Sequence, residues 1–92
     1  MSMTMNEIIT QKITEALEPA VLEVINESHF HAGHLQTSNT ETHFRLVIVA
    51  AKFEGLTAVK RHQWVYRILA EELAGELHAL ALSLKTPAEF AV

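Results

Sequence analysis

Six histidines and no cysteine are the chemical signature of this 92-residue chain: His29, His31, His34, His43, His62 and His78. Three of them share one short stretch, His29-x-His31-x-x-His34. Imidazole is a borderline ligand that takes zinc, copper, iron or nickel through a neutral nitrogen. The spacing matches no strict zinc signature. Without a metal, the same three are solvated loop side chains that titrate near neutral pH. The missing thiols exclude a disulfide framework, a thiolate zinc site and an iron–sulfur cluster held by this chain's own cysteines. Hydrolytic chemistry gains no support. The chain has no cysteine nucleophile, all eleven acidic residues are glutamates, and its serines lie in no nucleophile motif.

A second constellation is Lys60-Arg61-His62-Gln63-Trp64-Val65-Tyr66-Arg67. At helical spacing Lys60, Gln63, Trp64, Arg67 and Glu71 share one face, a basic patch with an aromatic or an ordinary solvated face. Lys60, Arg61 and Arg67 are the candidate phosphate contacts. The net charge of −4 opposes general nucleic-acid binding, because phosphate attraction is its main sequence-independent term. A GxxG clamp and a phosphate-cradling glycine loop are both absent from the sequence.

The elements that must position these residues follow from periodicity. Hydrophobic residues are 49% and charged residues 20%, which describes a packed globule, read as one domain over residues 1–92. Thr4-Met5-Asn6-Glu7 is a capping box. Met5, Ile8, Ile9, Ile13, Ala16 and Leu17 continue it as a helical stripe that Pro19 ends. Val21 to Glu27 reads as a strand, residues 29–41 as a loop, and Thr42 to Ala50 as an antiparallel second strand. A turn at Phe53-Glu54-Gly55 leads to a helix over Thr57 to Ala74. Its apolar stripe is His62, Val65, Tyr66, Leu69 and Leu73, with Gly75 as C-cap. Leu77 to Leu84 alternates and reads as a third strand, with His78 on its leucine face. A last helical turn follows Pro87. The order αββαβ predicts an α+β fold, helices on one face of a small three-stranded mixed sheet.

One topological consequence concerns the histidines. The long helix permits a right-handed crossover, so strand three can lie parallel to strand two. The N-terminal ends of those strands are then neighbours, which brings His78 towards His29, His31, His34 and His43. No stretch approaches the roughly 20 apolar residues of a membrane span, and no charged, apolar leader is seen. The expected location is cytoplasmic.

Separated blocks along the chain also resemble a known family. They are Leu22-Glu23-Val24-Ile25-Asn26-Glu27-Ser28, His31, Thr42-His43-Phe44, Phe53-Glu54-Gly55, Val59-Lys60-Arg61-His62, Val65-Tyr66, Leu69-Ala70-Glu71-Glu72-Leu73 and His78-Ala79-Leu80-Ala81-Leu82. In this order and spacing, over about residues 5 to 84, they are similar to the BolA family. The resemblance implies a fold similar to the class II KH topology and a non-enzymatic role. It implies a heterodimer with a monothiol glutaredoxin, sharing a [2Fe–2S] cluster with the glutaredoxin cysteine and glutathione. His78 maps onto one ligand. The other comes from the loop between the first two strands and maps onto His31, with His29 and His34 as support or substitutes. Leu35 to Thr40 lacks the Pro/Gly-rich stretch common in this loop. The isolated protein is expected to carry no cofactor and to be a monomer or weak homodimer. The alternative that the resemblance implies is a DNA-binding regulator of morphology and stress response, acting through residues 55–67.

Overall fold

The first helix, α1 (Met5–Leu17), starts where the capping box predicts. The Thr4 hydroxyl accepts from the Glu7 amide at 3.1 Å, and the Thr4 amide donates to the Glu7 carboxylate at 2.8 Å. Two amide donors that have no partner within the helix are thereby satisfied. Ile9, Ile13 and Leu17 fall on one face and are buried. The helix closes at Glu18, whose backbone is left-handed (φ 46°), and Pro19 prevents its continuation. The computed structural model describes residues 2–28 and 41–91.

Three strands follow the predicted order with slightly different limits: β1 (Val21–Asn26), β2 (His43–Val49) and β3 (Ala79–Lys85). The sheet order is β1-β2-β3. β1 and β2 are antiparallel, with Val21 opposite Val49 and Asn26 opposite Phe44. β2 and β3 are parallel, with His43 opposite Ala79, the arrangement that the crossover length permits. Alternation sends Phe44, Leu46 and Ile48 into the core, and Leu22, Val24, Leu80, Leu82 and Leu84 pack around them. The helices supply Ile9, Ile13, Leu17, Val65 and Leu69 to the same cluster. Full burial of side chains of this size stabilises by roughly 1.5–3 kcal/mol each. The result is an α+β fold with a three-stranded mixed sheet.

The crossover departs from the sequence reading in two ways. Instead of one helix over Thr57 to Ala74, the chain makes α2 (Ala58–Ile68) and α3 (Ala70–Ala74). Leu69 leaves helical angles between them, at φ −103° and ψ 22°. The bonds from the Leu69 amide to the Val65 carbonyl and from the Leu73 amide to the Leu69 carbonyl continue across it, so the junction is a bend. The inward face is also rotated. Val65 and Leu69 are buried as predicted, but His62 and Tyr66 are exposed, and Trp64 and Ile68 pack against the core instead. The cause is Phe53, in the 3-10 turn Ala51–Phe53 before the helix. Trp64 meets the Phe53 ring edge-on at 6.2 Å, and the Arg61 guanidinium lies over the same ring at 5.8 Å. Gly55, at φ 80°, makes the turn into α2 that a residue with a Cβ would strain.

Two polar ties complete the frame. Lys12 of α1 reaches Glu71 and Glu72 of α3, each at 2.8 Å. The final helix, α4 (Pro87–Ala91), is held by Arg61 through Glu89. Among the described residues, no helix is long and apolar enough to cross a membrane.

Candidate metal-ligand site

The parallel pairing of β2 and β3 places His78 immediately before β3, beside the start of β2. Its amide donates to the Thr42 carbonyl at 2.8 Å, and the Ala79 amide donates to the same oxygen at 3.2 Å. The His78 side chain departs from the expected alternation. It is exposed rather than packed on the leucine face, while its neighbour Leu77 is buried. Alternation does not apply one residue before the ladder begins, so His78 is free of the role of a core histidine. The ring lies 6.3 Å from that of His43, centroid to centroid, with 52° between the planes.

Ser28 ties the other end of the site together. Its hydroxyl is buried and accepts from the Thr42 amide at 2.9 Å and the His43 amide at 3.1 Å. The Asn26 side-chain carbonyl accepts from the Ser28 amide at 2.9 Å, a local turn typical of asparagine. Glu41 accepts from the Met5 amide at 2.9 Å, so its negative charge sits at the N-terminus of α1. The chain thus departs at Ser28 and returns at Glu41 and Thr42, beside His78. His29, His31 and His34 lie in between, outside the described residues. Next to the strand starts is a small cavity of about 170 Å³, lined in part by Glu27, His43, Arg45 and Ala79. Glu27 and Arg45 neutralise one another across it at 2.8 Å.

Among the described residues no group of three or more His, Cys, Asp or Glu could hold a metal ion. His78 and His43 supply two imidazoles, short of the three or four ligands of a zinc site. Sequence reasoning brought His43 towards His78 and read it as structural rather than as a ligand. His43 was legible as the residue whose register partner, Ala79, adjoins His78, once the strands were taken as parallel.

The candidate basic patch separates into unlike parts. Lys60 and Arg67 are exposed and make no ion pair with another described residue. With Leu56, Gln63 and Trp64 they line a cavity of about 400 Å³. Trp64 is half-buried against Phe53, a correction to its expected place on the solvent face. Arg61 is turned into the fold. Its guanidinium donates to the Leu56 carbonyl at 3.0 Å, to the Leu84 carbonyl at 3.1 Å, and to both oxygens of Glu89 at 2.7 and 3.2 Å. The bonds to Glu89 hold its pKa above the ordinary arginine value.

Comparison with known proteins agrees with this architecture. A family model described as BolA-like protein matches residues 13–89. BolA-like protein 1 of Homo sapiens is 49% identical over 82 residues, covering 89% of this chain and 58% of that protein, so the chain spans little more than half of that relative's length. The DNA-binding transcriptional regulator BolA of Haemophilus influenzae is 44% identical over 88 residues, covering 96% of this chain and 82% of that one. The solved structure of BolA1 from Arabidopsis thaliana superposes with a TM-score of 0.88 at 40% identity, covering 97% of this chain and 98% of that one. With the family pattern, the sequence identity and the fold in agreement, this chain belongs to the BolA-like family.

Proposed function

We propose that this chain is the partner of a monothiol glutaredoxin in holding, passing on or sensing a [2Fe–2S] cluster. The observation that supports this reading best is the exposed His78 imidazole. Backbone bonds hold it at the edge where the histidine-bearing segment leaves Ser28 and returns to Thr42. The donor chemistry fits a shared site. The chain offers imidazoles and no thiol, so the thiolates come from the glutaredoxin cysteine and from glutathione. His78 is one ligand and His31 the second, with His29 and His34 in support. Histidine in place of cysteine on one iron raises a cluster's reduction potential. When bound, the cluster supplies one-electron chemistry and transferable iron and sulfide. The chain's own part is to supply imidazole ligands, that of His78 from the edge where β3 begins, a binding role rather than a catalytic one. The complex is a heterodimer, and the isolated chain carries no cluster.

The test is co-expression with a monothiol glutaredoxin, followed by anaerobic purification with glutathione. A coloured heterodimer is expected, and His78→Ala and His31→Ala should each alter its visible absorption and circular dichroism. Unchanged spectra in both variants would sink the ligand assignment.

A second reading, binding to DNA, is favoured by exposed Lys60 and Arg67 beside Trp64, and by the name of the Haemophilus influenzae relative. Two phosphate contacts predict a log–log salt slope of about −1.8 on duplex DNA. A slope that persists after Lys60→Ala and Arg67→Ala together would remove these residues from the contact.

A further inference from the structure

We propose that the outward face of α2 docks an acidic amphipathic helix of a partner protein. Val59 and Tyr66 stand on one exposed stripe of this helix, and Lys60 and Arg67 stand on the next. Each pair spans two turns, about 10.5 Å along the axis. Val59 is 65% exposed and Tyr66 45%, although a surface helix ordinarily turns side chains of this kind towards the core. With Ala58, His62 and Gln63 they line a shallow cavity of about 460 Å³. Gln63 also borders the cavity of about 400 Å³ that Lys60 and Arg67 share with Trp64. The apolar and the cationic surfaces therefore adjoin along Gln63.

Charge selects the occupant. The chain has seven lysines and arginines against eleven glutamates. Lys12, Arg45, Lys52 and Arg61 each pair with a glutamate. Lys60 and Arg67 make no ion pair with a described residue, and they stand together beside the apolar stripe. An antiparallel pairing of α2 with the α2 of a second copy would set cation against cation. Duplex DNA would engage the two cations and leave Val59 and Tyr66 without a partner. An acidic segment with apolar anchors matches both stripes. It must also satisfy its own main chain, since the side of a helix offers no free amide or carbonyl for strand pairing. A helix does so internally. Its apolar residues at i, i+4 and i+7 meet Val59 and Tyr66, and its carboxylates on the adjoining stripe meet Lys60 and Arg67. Tyr66 is the central anchor, because buried aromatic side chains carry much of an interface's energy, while the ion pairs fix register and orientation.

The test is an NMR titration of the full, isotope-labelled chain with a synthetic acidic helix. The peptide carries leucines at i, i+4 and i+7, glutamates on the adjoining stripe and alanines elsewhere. Amides from Val59 to Arg67 should shift along one binding curve, and those of the three strands should stay in place. Tyr66→Ala should weaken binding by at least about fivefold, the loss that marks an energetic anchor. Lys60→Glu and Arg67→Glu together should weaken it by at least about tenfold, because like charges then face one another. A peptide with glutamines in place of the glutamates should bind the parent more weakly, and added salt should weaken the acidic peptide alone. The substituted side chains are exposed, so each variant keeps the fold, which far-UV circular dichroism checks. Shifts outside α2, no shift at millimolar peptide, or a glutamine peptide that binds as tightly as the glutamate one overturn the proposal. Duplex DNA that moves the Lys60 and Arg67 amides, in a chain that the acidic peptide leaves unmoved, assigns these cations to phosphate and overturns it too. The titration uses no glutaredoxin, so its outcome is independent of the cluster reading.

Discussion

Arg61→Ala separates a stability role from a ligand role on α2. The guanidinium makes two bonds to backbone carbonyls, those of Leu56 and Leu84, which join the turn before α2 to the end of β3. Hydrogen bonds from charged donors contribute about 1.5–3 kcal/mol each in general, and these carbonyls regain part of that from water. The contact with the Phe53 ring adds about 0.5–1 kcal/mol. The ion pair with half-exposed Glu89 is screened by solvent and adds little beyond them. The sum for Arg61→Ala is a loss of about 2–4 kcal/mol, which for a domain of this size lowers Tm by roughly 10–25 °C. Lys60→Ala, which removes an exposed cation with no described ion pair, should stay within about 0.5 kcal/mol of the parent. Arg61→Lys should recover less than half of the loss, since one ammonium cannot reproduce a fork that serves two carbonyls and a carboxylate. Urea and thermal unfolding followed by far-UV circular dichroism measure all three. An Arg61→Ala protein as stable as the parent, yet weaker on duplex DNA, would refute this reasoning and return Arg61 to the phosphate contacts.

Two other outcomes follow from the same network. Arg61 and the Thr86 amide hold the Glu89 carboxyl at about 2, down from an ordinary value of 4.5. A carboxyl depressed in the folded state stabilises the fold above its unfolded pKa, and that stabilisation is lost as pH falls through the folded one. Stability should therefore decline between about pH 4.5 and 2 as this tie is lost, and Glu89→Gln should flatten that part of the profile. The Glu89 carboxyl carbon, followed by NMR, should titrate near 2 in the parent and higher in Arg61→Ala, where the Thr86 bonds alone still lower it; ordinary titration with Arg61 intact would contradict the geometry. Ser28→Ala leaves the Thr42 and His43 amides without their acceptor, at a cost of about 1–3 kcal/mol. Hydrogen exchange at those two amides should accelerate, and unchanged protection would show that Ser28 does not hold the strand start.

The features readable in the sequence are those whose causes are local. Thr4 and Glu7 carry both halves of a capping box, and the Ile9, Ile13 and Leu17 stripe has one side to bury. Phe44, Leu46 and Ile48 alternate cleanly because β2 is central and packed on one face. The length of the crossover allowed a parallel neighbour, and with it the approach of His78 to the start of β2. The inward face of α2 was misjudged because the 61–68 segment offers apolar or aromatic residues on adjoining stripes. Periodicity cannot choose between Tyr66 and Trp64 when the deciding contact is Phe53, which lies outside the helix.

By itself, the sequence determined the α+β class, the element order, the absence of thiol ligands and the concentration of histidines before the second strand. These depend on residue type and short spacing, which survive without knowledge of distant contacts. Only the tertiary structure decided how the described candidate side chains are oriented and which neighbours they meet. It turned His78 outward because that residue precedes the ladder, and it brought His43 within 6.3 Å through the β2–β3 register. It drew Arg61 inward, where two main-chain carbonyls and Glu89 claim it. Orientation at the end of a strand, and competition between partners for one guanidinium, are set by residues far apart in the chain. The one-dimensional pattern carries no record of them.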